Sequence, residues 1–145
     1  MDKIIVNDEE NVYKIEVNDK GECIEFDLLD IELPVKCMNT GNAIRKETKV
    51  YNNLASVLEK QYKDNPKMYL YKKLELDRNY CKKMRDVFDK WLGEGASQKI
   101  FGDKNRIGMF ESFYEQLLPH LDNIKINIDQ IKQNLIDKYK PEAKL

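Results

Sequence analysis

Apolar residues recur at intervals of three and four positions over most of the chain beyond residue 50, and this spacing restricts that region to helices. Residues three and four apart lie on the same side of an α-helix, so each run predicts a helix with one apolar face. The first run consists of Tyr51, Leu54, Ala55, Leu58 and Tyr62. The second consists of Leu70, Leu74, Cys81, Met84, Phe88 and Trp91, with Asp77 as its one polar interruption.

Glycine and proline residues predict where these two helices begin and end. Pro34 is compatible with a first helical turn, where its missing N–H would have no partner in any case. Gly41 would weaken or divide the segment that follows, but we favour one long helix. We expect this helix to end near Asn65 and Pro66, because the residue before a proline is disfavoured in helical geometry. Gly93 directly follows the second run, as expected of a C-terminal cap.

Two further runs predict helices toward the C-terminus. One begins at about Asn105, and the other follows Pro119, a residue that we expect to bend or break the helix. The earlier run contains Ile107, Phe110, Phe113, Tyr114, Leu117 and Leu118. The later run has the near-heptad spacing of a narrow apolar seam and contains Leu121, Ile124, Ile128, Ile131 and Leu135. Such a helix either packs along the bundle or projects toward a partner.

A different periodicity, with apolar residues at every second position, marks the N-terminal part of the chain. The alternating residues are Tyr13, Ile15 and Val17 before the segment Asn18-Asp19-Lys20-Gly21, and Ile24, Phe26 and Leu28 after it. A period of two on both sides of such a turn predicts an antiparallel β-hairpin at residues 12–29. One face is apolar and a lone hairpin is marginal in water, so the helices should cover that face.

These elements predict a mainly α-helical protein that forms a single domain over residues 1–145, a usual length for one domain. The hairpin at 12–29 precedes a helical core at 34–118 and a C-terminal amphipathic helix at 121–139. The expected bundle has three to five helices, and by a strict count of elements the class is α+β.

Charge and cysteine content restrict the partner and the compartment. The 25 lysine and arginine residues nearly cancel 26 aspartate and glutamate residues, which is typical of solvated helix faces and not of a nucleic-acid-binding surface. Cys23, Cys37 and Cys81 are odd in number and widely spaced, which predicts reduced thiols. The short N-terminal apolar run and the lack of about 20 consecutive apolar residues predict a cytoplasmic protein without a membrane span.

No pattern in the sequence predicts catalysis. His120, the single histidine, has no cysteine or carboxylate pair nearby at metal-ligand spacing, so we expect a surface or capping role. The carboxylates of Asp8, Glu9 and Glu10 lack apolar neighbours that would shift a pKa. Gly93-Glu94-Gly95 follows a helix, whereas a phosphate-binding loop follows a strand. We therefore expect a protein that is not an enzyme and that holds no metal or cofactor.

A motif lies at the end of the second predicted helix. It begins with Trp91-Leu92-Gly93-Glu94-Gly95 and continues, after a small residue and Ser97, with Lys99-Ile100-Phe101-Gly102. The pattern resembles a family of small proteins from phages and prophages of low-GC Gram-positive bacteria, of the tail assembly chaperone type. The resemblance covers residues 87–118, and the segment after Pro119 has no counterpart in it. The motif residues, which we expect to be structural, are Phe88, Trp91, Gly93, Gly95, Ile100, Phe101 and Gly102.

The resemblance implies a chaperone that binds the tape-measure protein, the tail tube protein, or both, in the cytoplasm of the bacterial host. Two alternatives stay open: a structural virion protein of the tail completion or connector kind, and a small phage protein that binds a host protein. The partner in each case is a protein and not a nucleic acid or a membrane, and the sequence leaves a homo-oligomer open. The candidate partner surface is the seam of the last helix, formed by Leu121, Ile124, Ile128, Ile131 and Leu135.

Overall fold

The computed structural model describes residues 2–4 and 11–138, and within this part the chain forms a β-hairpin followed by four helices. The elements in chain order are β1 (Val12–Glu16), β2 (Cys23–Asp27), α1 (Leu33–Gln61), α2 (Pro66–Leu92), α3 (Ala96–Phe101) and α4 (Met109–Lys138). The predicted class, mainly α-helical with an N-terminal hairpin, is confirmed. The acidic run at Asp8, Glu9 and Glu10 and the end of the predicted C-terminal helix at Tyr139 lie outside the described residues.

The hairpin has the predicted pairing and the predicted apolar face. β1 and β2 are antiparallel, with Tyr13 opposite Phe26 and Ile15 opposite Ile24. Ile24 and Phe26 are buried, and the two residues opposite them are partly buried. These side chains belong to a cluster that includes residues of α1 and α4. The helices therefore supply the support that a two-stranded ribbon lacks by itself.

α1 is one continuous helix, as predicted, and Gly41 lies within it. A Cβ atom added at Gly41 would lie 2.5 Å from the hydroxyl oxygen of Tyr114, so the absence of a side chain lets the tip of the Tyr114 side chain pack against α1. α1 ends at Gln61 and α2 begins at Pro66, in agreement with the expected boundary. Asn65 caps the new helix by accepting a backbone hydrogen bond from its first turn.

α4 runs from Met109 to Lys138 without interruption and includes Pro119. The helix does not break at Pro119, so the prediction of a separate helix at 121–139 is wrong. A proline inside a helix removes the hydrogen bond to the carbonyl group four residues earlier, here that of Glu115. Both residues are exposed, so water can bind that carbonyl oxygen. Leu117 and Ile124 hold α4 against the core on both sides of the proline.

Two buried clusters make up the core. The first joins α1, α2 and α4 through Ile44, Tyr51, Tyr80, Cys81, Met84, Phe88 and Phe110. The second joins the hairpin to α1 and α4 through Ile24, Phe26, Leu33, Leu117 and Ile124. Partly buried residues that pack against both clusters connect them, among them Trp91, Ile100 and Phe113. The hairpin and the helices therefore share one continuous core.

Gly41→Ala should reduce stability more in the wild-type chain than in a Tyr114→Phe variant. The added methyl group clashes with the tyrosine hydroxyl group only in the first background. In the second background the steric clash is smaller, so more of the higher helix propensity of alanine over glycine, about 1 kcal/mol, appears as stability. A double-mutant cycle measured by urea unfolding should give a coupling of about 1 kcal/mol between the two positions. A coupling near zero would contradict the contact of the Tyr114 hydroxyl group with α1 at Gly41.

Candidate protein-binding surfaces

The motif residues Phe88 and Phe101 lie at the centre of the aromatic packing between α2, α3 and α4. The Phe88 side chain is fully buried, and its ring centroid lies 5.1 Å from that of Phe101 and 5.7 Å from that of Phe113. The Phe101 ring also lies 4.8 Å from the Phe110 ring in an edge-to-face arrangement. These aromatic residues of the motif therefore form part of the core.

Three glycines shape the turn that brings Phe101 back to the core. Gly93, Gly95 and Gly102 have φ angles of 104°, 83° and 68°, which residues with a Cβ atom rarely adopt. Gly93 caps the end of α2, and the other two flank α3. We call residues 93–102 the motif turn.

Two charged residues of α2 hold the motif turn by hydrogen bonds. The Arg85 guanidinium group donates to the carbonyl oxygen of Gly102 at 2.8 Å and to that of Lys104 at 3.2 Å. Asp89 Oδ1 accepts a hydrogen bond from the backbone N–H of Ser97 at 2.7 Å. Neither residue could be recognised from the sequence, because a charged side chain on a helix resembles a solvated one until the loop that it contacts is known.

The motif turn also contacts the hairpin. The Asn18 side chain donates to the carbonyl oxygen of Lys99 at 3.0 Å, and Lys99 Nζ donates to the carbonyl oxygen of Cys23 at 3.1 Å. Trp91 lies 5.7 Å from Phe26 of β2, measured between ring centroids. The motif therefore connects α2, α3 and the hairpin.

The fold divides the candidate partner surface along α4. Ile124 is buried beneath the hairpin and α1, so its side chain belongs to the core. Leu121, Ile128 and Ile131 are partly buried, and Leu135 is 48% exposed. The seam thus begins as core packing and opens to solvent toward the end of α4.

An open apolar groove lies where the seam leaves the core. Its volume is about 370 Å³. It lies between the first turns of α1 and the middle of α4, and it is lined by Leu33, Pro34, Cys37, Leu121, Ile124, Lys125, Ile128, Asp129 and Lys132. Burial raises the pKa of the Cys37 thiol, so this side chain stays neutral near pH 7. We call this feature the α1–α4 groove.

The distal halves of α1 and α2 form a second open region. No residue from 52 to 79 is buried, and we call this segment the arm. The predicted helical core at 34–118 included Leu54, Leu70 and Leu74, but these residues are 47%, 67% and 45% exposed. The spacing predicts which residues share a helix face and not whether another element covers it.

A hydrogen-bonded group lies at the base of the arm. The Tyr51 hydroxyl group donates to Asp77 Oδ1 at 2.6 Å. Lys73 Nζ donates to the same carboxylate oxygen at 2.9 Å and to the Tyr51 hydroxyl oxygen at 2.7 Å. The Tyr51 ring lies 4.5 Å from that of Tyr80, in the core. Asp77 therefore interrupts the apolar stripe because its carboxylate binds two partly buried donors.

Among the described residues, no group of three histidine, cysteine, aspartate or glutamate side chains could hold a metal ion. His120 Nδ1 lies 3.1 Å from the Tyr13 hydroxyl oxygen, a contact that joins α4 to β1. Across residues 2–4 and 11–138, no helix is both long and apolar enough to cross a membrane.

Comparison with known proteins finds one match. The family of unknown function DUF6673 matches residues 20–144, which is most of the chain. The chain belongs to this family. No curated protein and no solved structure matches it. The DUF6673 match covers β2 and all the helices described above, so the motif turn, the α1–α4 groove and the arm lie within the family's extent.

Arg85→Met should destabilise this DUF6673 protein by about 2 kcal/mol, because the Asn105 side chain and the carbonyl oxygens of Ser97, Gly102 and Lys104 lose a charged hydrogen-bond donor. Arg78→Met is a matched stability control, since the Arg78 side chain lies exposed on the same helix and forms no hydrogen bond with the described residues. Its effect should stay within about 0.5 kcal/mol. Urea unfolding measures both variants, and equal destabilisation would contradict the role of Arg85 in holding the motif turn.

The base of the arm should make stability fall at alkaline pH. Burial and the hydrogen bond to Asp77 raise the pKa of Tyr51, so the unfolded chain ionises first and stability falls above about pH 10. Burial lowers the pKa of Lys73, but hydrogen bonds to Tyr51 and Asp77 leave that pKa above its ordinary value. The stability that Lys73 contributes is therefore fully present below the pKa of Lys73 in the unfolded chain, and it is lost as the pH rises through the pKa of Lys73 in the folded protein.

Tyr51→Phe should therefore lose less stability than the wild type between about pH 9 and about pH 11 in urea unfolding. Tyr71→Phe replaces an exposed tyrosine of α2 and should keep the wild-type pH dependence. The same pH dependence in the wild type and in Tyr51→Phe would contradict the coupling at the base of the arm.

Proposed function

We propose that this protein is a phage tail assembly chaperone that binds the tape-measure protein in the cytoplasm of the bacterial host. The observation that carries the proposal is the α1–α4 groove, beyond which the seam of α4 continues through the partly buried Ile131 to the exposed Leu135. An amphipathic helix of a client protein buries its apolar stripe in a groove of this kind. A long helical client such as a tape-measure protein presents such stripes until tube subunits assemble around it.

Further apolar side chains extend the contact surface beside the groove. Val35 and Met38 directly follow the groove residues Pro34 and Cys37 on α1, and they are 50% and 59% exposed. Methionine is flexible and polarisable, so it adapts to apolar partners of different shape. The surface therefore suits a client whose contacts vary along its length.

The motif supports the same assignment. It resembles that of proteins of the tail assembly chaperone type, and its aromatic residues pack in the core between α2, α3 and α4. A motif in the scaffold leaves the groove free to bind. The proposed role is one of protein binding, and it requires no catalytic residue, metal or cofactor.

Ile128→Asp combined with Leu135→Asp should prevent formation of the complex. Wild-type protein co-expressed with the tape-measure protein of the same phage or prophage should yield a soluble complex, because the chaperone covers the apolar stripes of the client. The new carboxylates, one in the groove and one at the exposed position 135, would set charge against the apolar stripe of the client, so the double variant should reduce the soluble client about tenfold or more. Co-purification and sedimentation of the lysate measure this fraction.

Ile126→Asp is the matched control. Ile126 is 63% exposed on the same helix, but it lies two residues from Ile124 and Ile128 and therefore on the opposite side of α4. This variant should keep the complex. A tape-measure protein that is equally soluble without the chaperone would contradict the proposal. Mass spectrometry of purified virions should find no copy of this chain, whereas a structural tail protein would be present.

A further inference from the structure

The apolar face of α2 continues past the bundle that covers it. Residues 70, 74, 77, 81, 84 and 88 alternate by four and three positions and therefore lie on one side of the helix. Met84 and Phe88 on this face are fully buried, whereas Leu70 is 67% and Leu74 is 45% exposed. One continuous face is thus covered in its C-terminal half and open in its N-terminal half.

The helix that covers this face, α4, begins at the base of the arm. Its second residue, Phe110, packs edge to face on Tyr80 with ring centroids 5.9 Å apart. Leu74 lies six residues before Tyr80, or about 9 Å along the axis of α2. Leu70 and Leu74 therefore lie on α2 beyond the start of α4.

Basic side chains border the open leucines. Three residues lie on the same side of α2 as Leu70 and Leu74, at spacings of three, four and seven: Lys67, Tyr71 and Arg78. All five residues are exposed. Among the described residues, neither Lys67 nor Arg78 forms an ion pair. We call these five residues the arm face.

The wider region has a positive charge that the chain as a whole lacks. The arm, residues 52–79, contains six lysine and arginine residues and four aspartate and glutamate residues, a formal net charge of +2, and residues 45–83 as a whole carry +6, whereas the whole chain carries -1. A complementary ligand for the arm face is therefore both apolar and acidic. Two copies paired through the arm face would set Lys67 and Arg78 of one copy against those of the other, which opposes such pairing.

We propose that the arm face binds an acidic amphipathic helix of another protein. The bound helix lies along α2 as an added helix of the bundle, with its apolar stripe on Leu70 and Leu74 and its carboxylates beside Lys67 and Arg78. Leu54 in the arm lies 20 residues from Pro34 in the groove, or about 30 Å along α1. The arm face is thus a second site, and it does not depend on the proposed chaperone function.

The test uses a fluorescent synthetic helix of about 20 residues, with leucine at heptad positions a and d and glutamate at e and g. The full-length protein should bind this peptide about tenfold or more tightly than a peptide with lysine in place of glutamate, measured by fluorescence anisotropy. Leu70→Glu combined with Leu74→Glu should weaken binding by a similar factor. Lys67→Glu combined with Arg78→Glu should reverse the preference between the two peptides.

Ile126→Glu is the control, because Ile126 is 63% exposed on α4 and lies outside the arm face. It should bind both peptides as the wild type does. The charge-reversal variant changes only exposed groups, so it decides the question even if circular dichroism shows the leucine variant to be unfolded. Equal binding of the two peptides, or arm variants that bind as the wild type does, would overturn the proposal. A dimer in light scattering that dissociates on Leu70→Glu would assign the face to a second copy and overturn it too.

Discussion

Aromatic packing around Phe88 is the interaction on which the rest of the structure depends. α2 supplies Phe88, α3 supplies Phe101 and α4 supplies Phe110 and Phe113, so their contacts set how three helices meet. Phe101 reaches the cluster only because the motif turn adopts positive φ angles on both sides of α3. Rigid rings in a close-packed interior leave little room for adjustment, so the cluster determines where α4 starts and which faces it covers.

Both open surfaces follow from that arrangement, because the packed helices extend past one another at their ends. α4 continues past the first turns of α1, which leaves the α1–α4 groove and an exposed Leu135 at one end of the molecule. α1 and α2 continue past the start of α4, which leaves the arm at the other end. The scaffold thus separates two apolar surfaces by the length of α1, and the motif turn lies in neither.

Local patterns predicted the elements well, and non-local packing decided the rest. Both strands of the hairpin and the end of α2 at Gly93 follow from residues that adjoin them in sequence. Pro119 was expected to interrupt α4, but the packing of Leu117 and Ile124 on either side of it keeps the helix continuous. Periodicity placed Leu70 and Leu74 on one face, yet their exposure depends on where α4 begins. Arg85 could be recognised only from the turn that it contacts.

The absence of buried residues between 52 and 79 gives the molecule two levels of stability. The two helices of the arm contact each other across the short connection between Gln61 and Pro66, so most of their order is local. Amide protons in the arm therefore exchange with solvent through local opening, at a lower free energy than the global unfolding that releases those of the core. A helix bound along the arm would raise that local free energy, so occupancy of the site and order in the arm increase together.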